Sequence, residues 1–269
     1  MEPEIENSEN KRQAVCDDVK EALSNAGIKS GDIIFVHSDV TPVIHSEGFG
    51  WLTDSLNFLK NCFLEILGPE GTLILPTFNY DFCKGKTYSH EKSPSQVGLF
   101  PNFVMKDHRA IRSFHPIYSC VAIGKDAKNL MNGVSKSSFG KDSLFHRLHI
   151  KNAKLIFFNV SFYYCTYIHY VEQHIGVDYR FLKTFEGKVI VNGKEYNDKF
   201  DFYARYLDQN IVLDLTRLES DLLSDGRMQK AFFRKKHQVL QVSCDNVYHE
   251  AIRKVNSDPY YLLKTPPLT

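Results

Sequence analysis

The chain has 269 residues, 43% hydrophobic and 24% charged, with Lys+Arg 33 against Asp+Glu 32 and a formal net charge of +1. That length and balance suit one larger globular domain with a real core, and the lack of a basic excess argues against a nucleic-acid binder. Six scattered cysteines without a C-x-x-C pair read as free thiols in a reducing compartment. The acidic start, Met1-Glu2-Pro3-Glu4, lacks a signal-peptide pattern, and no apolar run approaches the roughly 18 residues of a membrane span, so a cytoplasmic location is expected.

A polar tail (1–9) precedes an amphipathic helix over 10–26, with Val15, Val19 and Leu23 on one side and Gly27 as its stop. Ile33-Ile34-Phe35-Val36 reads as a buried strand that delivers His37-Ser38-Asp39 at its C-terminal end. Helix signals run from Trp51 to Leu67, ended by Gly68-Pro69, and Thr72-Leu73-Ile74-Leu75 is a second buried strand. Strand, helix, strand predicts a right-handed βαβ unit. Residues 79–95 form a long polar and aromatic loop, of the kind that walls or covers a site.

A helix is expected from Ser95 to Met105 with Ser95 as its N-cap, then strands near Ile111–Ser113 and Ile117–Ile123. Short helices at Asp126–Leu130 and Asp142–His149 lead to a strand, Lys154–Phe158. After Arg180 the texture changes: Asn192-Gly193 predicts a type I′ hairpin, 213–223 a helix, 230–242 a strand and 243–255 a helix. The expected architecture is an α/β three-layer sandwich around a mixed, largely parallel sheet. Residues 10–180 form its core, 181–257 an α+β annex and 258–269 an irregular tail, all in a single domain.

Thr166, His169 and Glu172 are spaced so that a helix would place them on one face. A carboxylate beside a histidine can orient it as a base near neutral pH; the pair could equally be a solvated surface feature. Other polar residues gather at strand ends: Ser38, Thr77, the run Arg112-Ser113-Phe114-His115-Pro116-Ile117-Tyr118-Ser119, and Ser143 at a helix start. Singly these read as caps or turns, but five clusters after successive strands suggest a site. No nucleophile elbow or dinucleotide fingerprint occurs, and the Gly133–Asp142 loop breaks the phosphate-loop spacing. Cys165/His169 and His146/His149 lack a third ligand, so no metal is expected.

The motifs Phe35-Val36-His37-Ser38, Gly68-Pro69-Glu70-Gly71-Thr72-Leu73-Ile74-Leu75-Pro76-Thr77-Phe78, Arg112-Ser113-Phe114-His115-Pro116, Gly140-Lys141-Asp142-Ser143 and Thr166-Tyr167-Ile168-His169-Tyr170-Val171-Glu172 stand in a recognisable order. Over about residues 30–180 the chain resembles the aminoglycoside 3-N-acetyltransferase-like family, whose fold is not that of the GNAT acetyltransferases. The resemblance implies an acyl-CoA-dependent N-acyltransferase that forms a homodimer, with acyl-coenzyme A as co-substrate. His169 would be the general base and Glu172 its orienting acid. Ser38, Thr77, Arg112, Ser113, His115, Ser119, Ser143 and Thr166 would line the coenzyme A site.

For the acceptor, aminoglycosides are polycations, whereas the loop 79–95 carries Lys84, Lys86 and Lys92 against Asp81 and Glu91. A nucleotide-linked amino sugar destined for surface polysaccharide (O-antigen or capsule) is therefore expected, with an aminoglycoside resistance enzyme as the alternative. Tyr80, Phe82 and Lys84 are the candidate acceptor contacts. A thioester or amide hydrolase using His169 with Cys165 or a serine, and a non-catalytic binding protein, are the readings from other classes.

Overall fold

The computed structural model describes residues 2–46, 48–49 and 51–268, with side chains from residue 9 onward. The chain opens with α1 (Glu2–Asn25), β1 (Ile33–Ser38), the short α2 (Thr41–Ile44), α3 (Leu52–Leu67) and β2 (Thr72–Pro76). The loop strand β3 (Tyr88–Ser89) is followed by α4 (Leu99–Val104), β4 (Ile111–Arg112), β5 (Cys120–Gly124), α5 (Ala127–Met131), α6 (Leu144–Ile150) and β6 (Lys154–Phe158). Then come α7 (Ile168–Ile175), β7 (Arg180–Val191), β8 (Lys194–Arg205), α8 (Thr216–Ser224), β9 (Met228–Phe233), β10 (His237–Ser243) and α9 (Cys244–Val255).

Seven strands form the central sheet in the order β4-β5-β2-β1-β6-β10-β9. β1 pairs in parallel with β2 and with β6, and the other pairings are antiparallel. The sheet is mixed, but its parallel part is confined to the three central strands, narrower than the sequence suggested. Those strands are apolar on both faces, as strands covered by helices on both sides must be. Ile34 and Val36 pack toward α1 and α3, with Val15, Val19, Leu23 and Phe63. Phe35, Leu155 and Phe157 point into the other layer, with Phe145, Ile168 and Val171. This alternation is the period of two expected of a strand, and it creates the three layers.

The segment after residue 180 divides. β7 and β8 form a long hairpin that joins the loop strand β3 in a separate three-stranded sheet. Its turn holds Asn192 and Gly193 at φ 50° and 74°, the two positive values a type I′ turn requires. β9 and β10 extend the central sheet instead, beside β6. The expected single strand over 230–242 is therefore a hairpin, turned by Arg234 and Lys235 at φ 50° and 62°. The expected helix from Ser95 is also shorter: Gly98 has φ 133° and Ser95 is held by the Asn102 side chain, so α4 begins only at Leu99.

Gly124 ends β5 at φ 133°, and a Cβ there would stand 2.2 Å from the Gly71 carbonyl oxygen. Backbone cannot yield as a side chain tip can. Gly124→Ala should therefore destabilise the protein by about 2–3 kcal/mol, read as a lower denaturation midpoint in urea.

Candidate active site

The first turn of α7 presents His169, and Glu172 follows one turn later on the same face. His169 Nδ1 lies 2.6 Å from Glu172 Oε2. A carboxylate only accepts, so the imidazole proton sits on Nδ1 and Nε2 is left with a free lone pair. The Glu172 side chain is fully buried and that of His169 is 19% exposed. Gly176, left-handed at φ 76°, ends the helix and lets the chain turn back to β7. That turn brings Arg180 Nε to 2.8 Å from the same Glu172 oxygen.

Three ionisable groups thus meet in a nearly dry place. Burial pushes the Glu172 carboxyl up, but Arg180 and His169 together outweigh it and hold its pKa below the usual value. For His169, burial and then the Arg180 charge lower the pKa, against an upward pull from Glu172, and the net direction is down. The consistent state is Glu172 ionised, Arg180 cationic and His169 neutral: a base ready to accept a proton. Phe139 stands edge-on to the imidazole at 5.5 Å and restricts its rotation.

His169 opens onto a cavity of about 620 Å³. Tyr118 and Phe202, stacked with centroids 5.6 Å apart, help to line it. Arg180, Lys183 and Arg205 also line it, and Asp208 is the only acid among its described lining residues. A second cavity of about 420 Å³ lies at the C-terminal ends of β1 and β2. Ser38, Tyr80 and Thr166 border this second space, together with His37. The neighbouring residues Tyr163 and Tyr164 line one cavity each, and Tyr80 of one meets Tyr118 of the other edge-on at 6.0 Å. The two spaces are therefore adjacent.

Thr166 precedes the helix, and its hydroxyl donates to the Tyr164 carbonyl at 3.4 Å. The expected three-residue stripe reduces to His169 and Glu172. Other candidates from the sequence have their polar atoms committed inside the protein. Arg112 donates to the carbonyls of His90, Ser93 and Thr77 and to the Ser119 hydroxyl, which ties down the loop 79–95 and leaves no fork for a phosphate. Thr77 and Ser119 share a hydrogen bond at 2.9 Å, and the Ser113 hydroxyl accepts from the Cys120 N–H. His115 Nδ1 accepts from the backbone N–H groups of Ile117 and Tyr118, shaping a turn. Ser143 caps α6 by accepting from the His146 N–H. All but Arg112 are buried, and none of the six borders either cavity. In this structure their hydrogen bonds hold strand ends, a turn and a helix cap.

Of the acceptor candidates, Tyr80 borders the second cavity, whereas Phe82 is buried against Phe200 at 5.7 Å and Lys84 is exposed at the end of a 3₁₀ turn. Arg180 and Lys183 escaped the sequence reading, which held Tyr118 only as part of the run from Arg112 to Ser119. Arg180 carries a usable signal, a lone arginine eight residues after the glutamate, but only the fold shows that the two meet. Cys165 is buried and its thiol pKa is pushed up to about 12, mainly by burial, so it is not an activated nucleophile. Among the described residues, no group of three or more His, Cys, Asp or Glu side chains is placed to hold a metal, and no helix is long and apolar enough to cross a membrane.

A neutral histidine backed by a buried carboxylate, facing one open cavity and adjoining another, suits a transferase that takes a proton from its acceptor. The class is that of the N-acyltransferases. A family model described as aminoglycoside 3-N-acetyltransferase matches residues 35–255, and the chain belongs to that family. Aminoglycoside N(3)-acetyltransferase IX of Micromonospora chalcea is 24% identical over 196 residues, covering 65% of this chain and 68% of that protein. The fold is shared with the solved aminoglycoside acetyltransferase AAC(3)-Xa, at a TM-score of 0.76 and 16% identity over 98% of this chain and 100% of the other. It is shared likewise with AAC-IIIb in its binary complex with CoASH, at a TM-score of 0.75 and 17% identity over 92% and 96%.

Proposed function

We propose that the chain, acting as a single unit, transfers an acyl group from acyl-coenzyme A to the amine of an amino sugar, with His169 as general base. The pairing of His169 with Glu172 and Arg180 at the mouth of the larger cavity carries this reading. As the acceptor nitrogen bonds to the thioester carbon, His169 Nε2 takes a proton from it. Glu172 stabilises the imidazolium, the carbon–sulfur bond breaks, and the proton passes on to the departing thiolate. Ser38 and Thr166 border the space proposed for the acyl donor.

Family membership and the relatives' names support an aminoglycoside as acceptor. One observation favours a second reading, a nucleotide-linked amino sugar for surface polysaccharide. The larger cavity carries Lys183 and Arg205 against Asp208, and Arg180 is already paired with Glu172, which is a poor welcome for a polycation and a better one for a phosphate. The family also suggests a homodimer, which light scattering would test.

Thiol release should be followed from several acyl-CoAs with aminoglycosides and, in parallel, with nucleotide-linked amino sugars. Release that depends on an aminoglycoside supports the first reading, and release only with the nucleotide sugars supports the second. Acceptor-independent release would indicate a hydrolase, and no release with any pair would remove the acyltransferase reading. Lys183→Glu should lower kcat/KM about tenfold for an anionic acceptor and raise it for a cationic one, as the sign change of a nearby charge requires.

A further inference from the structure

The layer of the sandwich away from His169 holds a pair of cysteines that the proposed chemistry leaves unused. Cys16 lies on α1 and Cys62 on α3, 46 positions apart in sequence, and their sulfurs meet at 2.7 Å. All six cysteines are free thiols in this structure, and among the described residues these are the only two whose sulfurs stand within hydrogen-bond reach of each other. Both are buried, Cys16 at 5% exposure and Cys62 at 1%, in an apolar nest with Val15, Val19, Leu59 and Phe63. One turn beyond Cys16, Lys20 pairs with Glu65 of α3, so charge straps the same two helices together. A bond between the sulfurs therefore asks for rotation of two side chains and not for a shift of backbone.

A buried thiol is ordinarily inert, because the thiolate is the nucleophile and burial disfavours it. Cys62 follows that rule: burial, and then the Cys16 sulfur, push its thiol up. Cys16 is placed differently. It is the more exposed of the two, and the Lys20 ammonium lies close enough to interact with its sulfur. A cation there supplies the countercharge that a thiolate needs. The Lys20 side chain is 32% exposed, so the pair sits just beneath the surface and not in the depth of the core. One thiol beside a cation, with a second held directly behind it, is the arrangement of a reacting and a resolving cysteine.

We propose that Cys16 and Cys62 are a reversible disulfide site, closed by a hydroperoxide and reopened by a thiol reductant, which fastens α1 onto α3. The Cys16 thiolate attacks one peroxide oxygen, the O–O bond breaks, and the departing hydroxide takes a proton and leaves as water. Cys16 is then a sulfenic acid. The Cys62 sulfur, giving up its proton, displaces the hydroxyl group from the Cys16 sulfur, and a second water leaves as the S–S bond forms. The two thiols together lose two electrons and two protons, and hydrogen peroxide is reduced to water. The bond ties down α1, which packs on α3 and β9, and restricts the unfolded chain more than the folded one.

The protein should be treated with stoichiometric hydrogen peroxide, denatured, alkylated and mapped by mass spectrometry. Of the six cysteines, Cys16 and Cys62 alone should escape the label, with their two peptides joined. The oxidised protein should melt about 5–10 °C above the reduced one, and dithiothreitol should reverse both changes. Cys16→Ala and Cys62→Ala should each remove the cross-link and the rise in midpoint, and two variants on opposite sides of the contact guard against one that fails to fold. Full labelling after peroxide, oxidation of Cys16 without a bond to Cys62, a bond joining any other pair, or an unchanged midpoint would each overturn the proposal. None of these readouts depends on acyl transfer, so failure of the acyltransferase reading would leave this one intact, and the reverse.

Discussion

His169→Ala should lower kcat by about 10²–10⁴-fold while the protein still binds acyl-CoA with near-unaltered affinity. The size follows from what the residue does. Its Nδ1 proton is held by Glu172 at 2.6 Å, so Nε2 is the only basic atom of the triad that can face the larger cavity. Alanine removes that atom and leaves the second cavity, where the donor is proposed to lie, intact. Single-turnover kinetics together with calorimetric titration of coenzyme A would separate the two effects. Retained turnover in the variant would strike His169 from the mechanism.

Glu172→Gln should be nearly as damaging to catalysis and worse for the fold. The amide no longer compels the Nδ1 tautomer and leaves the Arg180 guanidinium, 7% exposed, without its ion-pair partner. Breaking a buried pair from one side costs about 3–5 kcal/mol, visible as a lower urea midpoint at unchanged slope. The pH profile gives a sharper sign. Burial and Arg180 lower the His169 pKa and Glu172 raises it. With the carboxylate gone only the lowering influences remain, so the acid limb of kcat/KM should move to lower pH while the plateau falls. An acid limb that stayed in place or moved up would show that His169 is not the group titrating.

Much of the scaffold can be read from the residues because local pattern and tertiary demand agree. The strand Lys154–Phe158 and the helix ending at Leu67 lie where apolar runs and Gly-Pro signals put them. The β9–β10 hairpin was hidden because its turn is made by Arg234 and Lys235, residues with no preference for positive φ, and the polar run Arg234-Lys235-Lys236-His237 carries no Gly, Asn or Pro to mark it as a turn. The hydroxyl-rich motifs are a different case. Thr77, Ser113, Ser119 and Ser143 carry the side chains that ligand sites use, yet here they satisfy backbone and neighbour groups at strand ends and caps. Residue type alone does not separate the two uses. Arg180 is the reverse case, its importance lying wholly in a contact between the end of one helix and the start of the next strand.

The placement of β10 has a consequence for the order in which the protein can be completed. β6, with Leu155, Ile156, Phe157 and Phe158 all buried, has β1 on one side and β10 on the other. During synthesis the first neighbour exists more than a hundred residues before the second. Until residues 237–243 emerge, a row of unpaired amides flanked by aromatic side chains stands open, an edge of the kind that recruits strands from other chains. The same residues lead into α9, which packs on α7. The helix that carries His169 is thus laid down early but is locked in place late, so a nascent chain has this histidine well before it has a protected sheet.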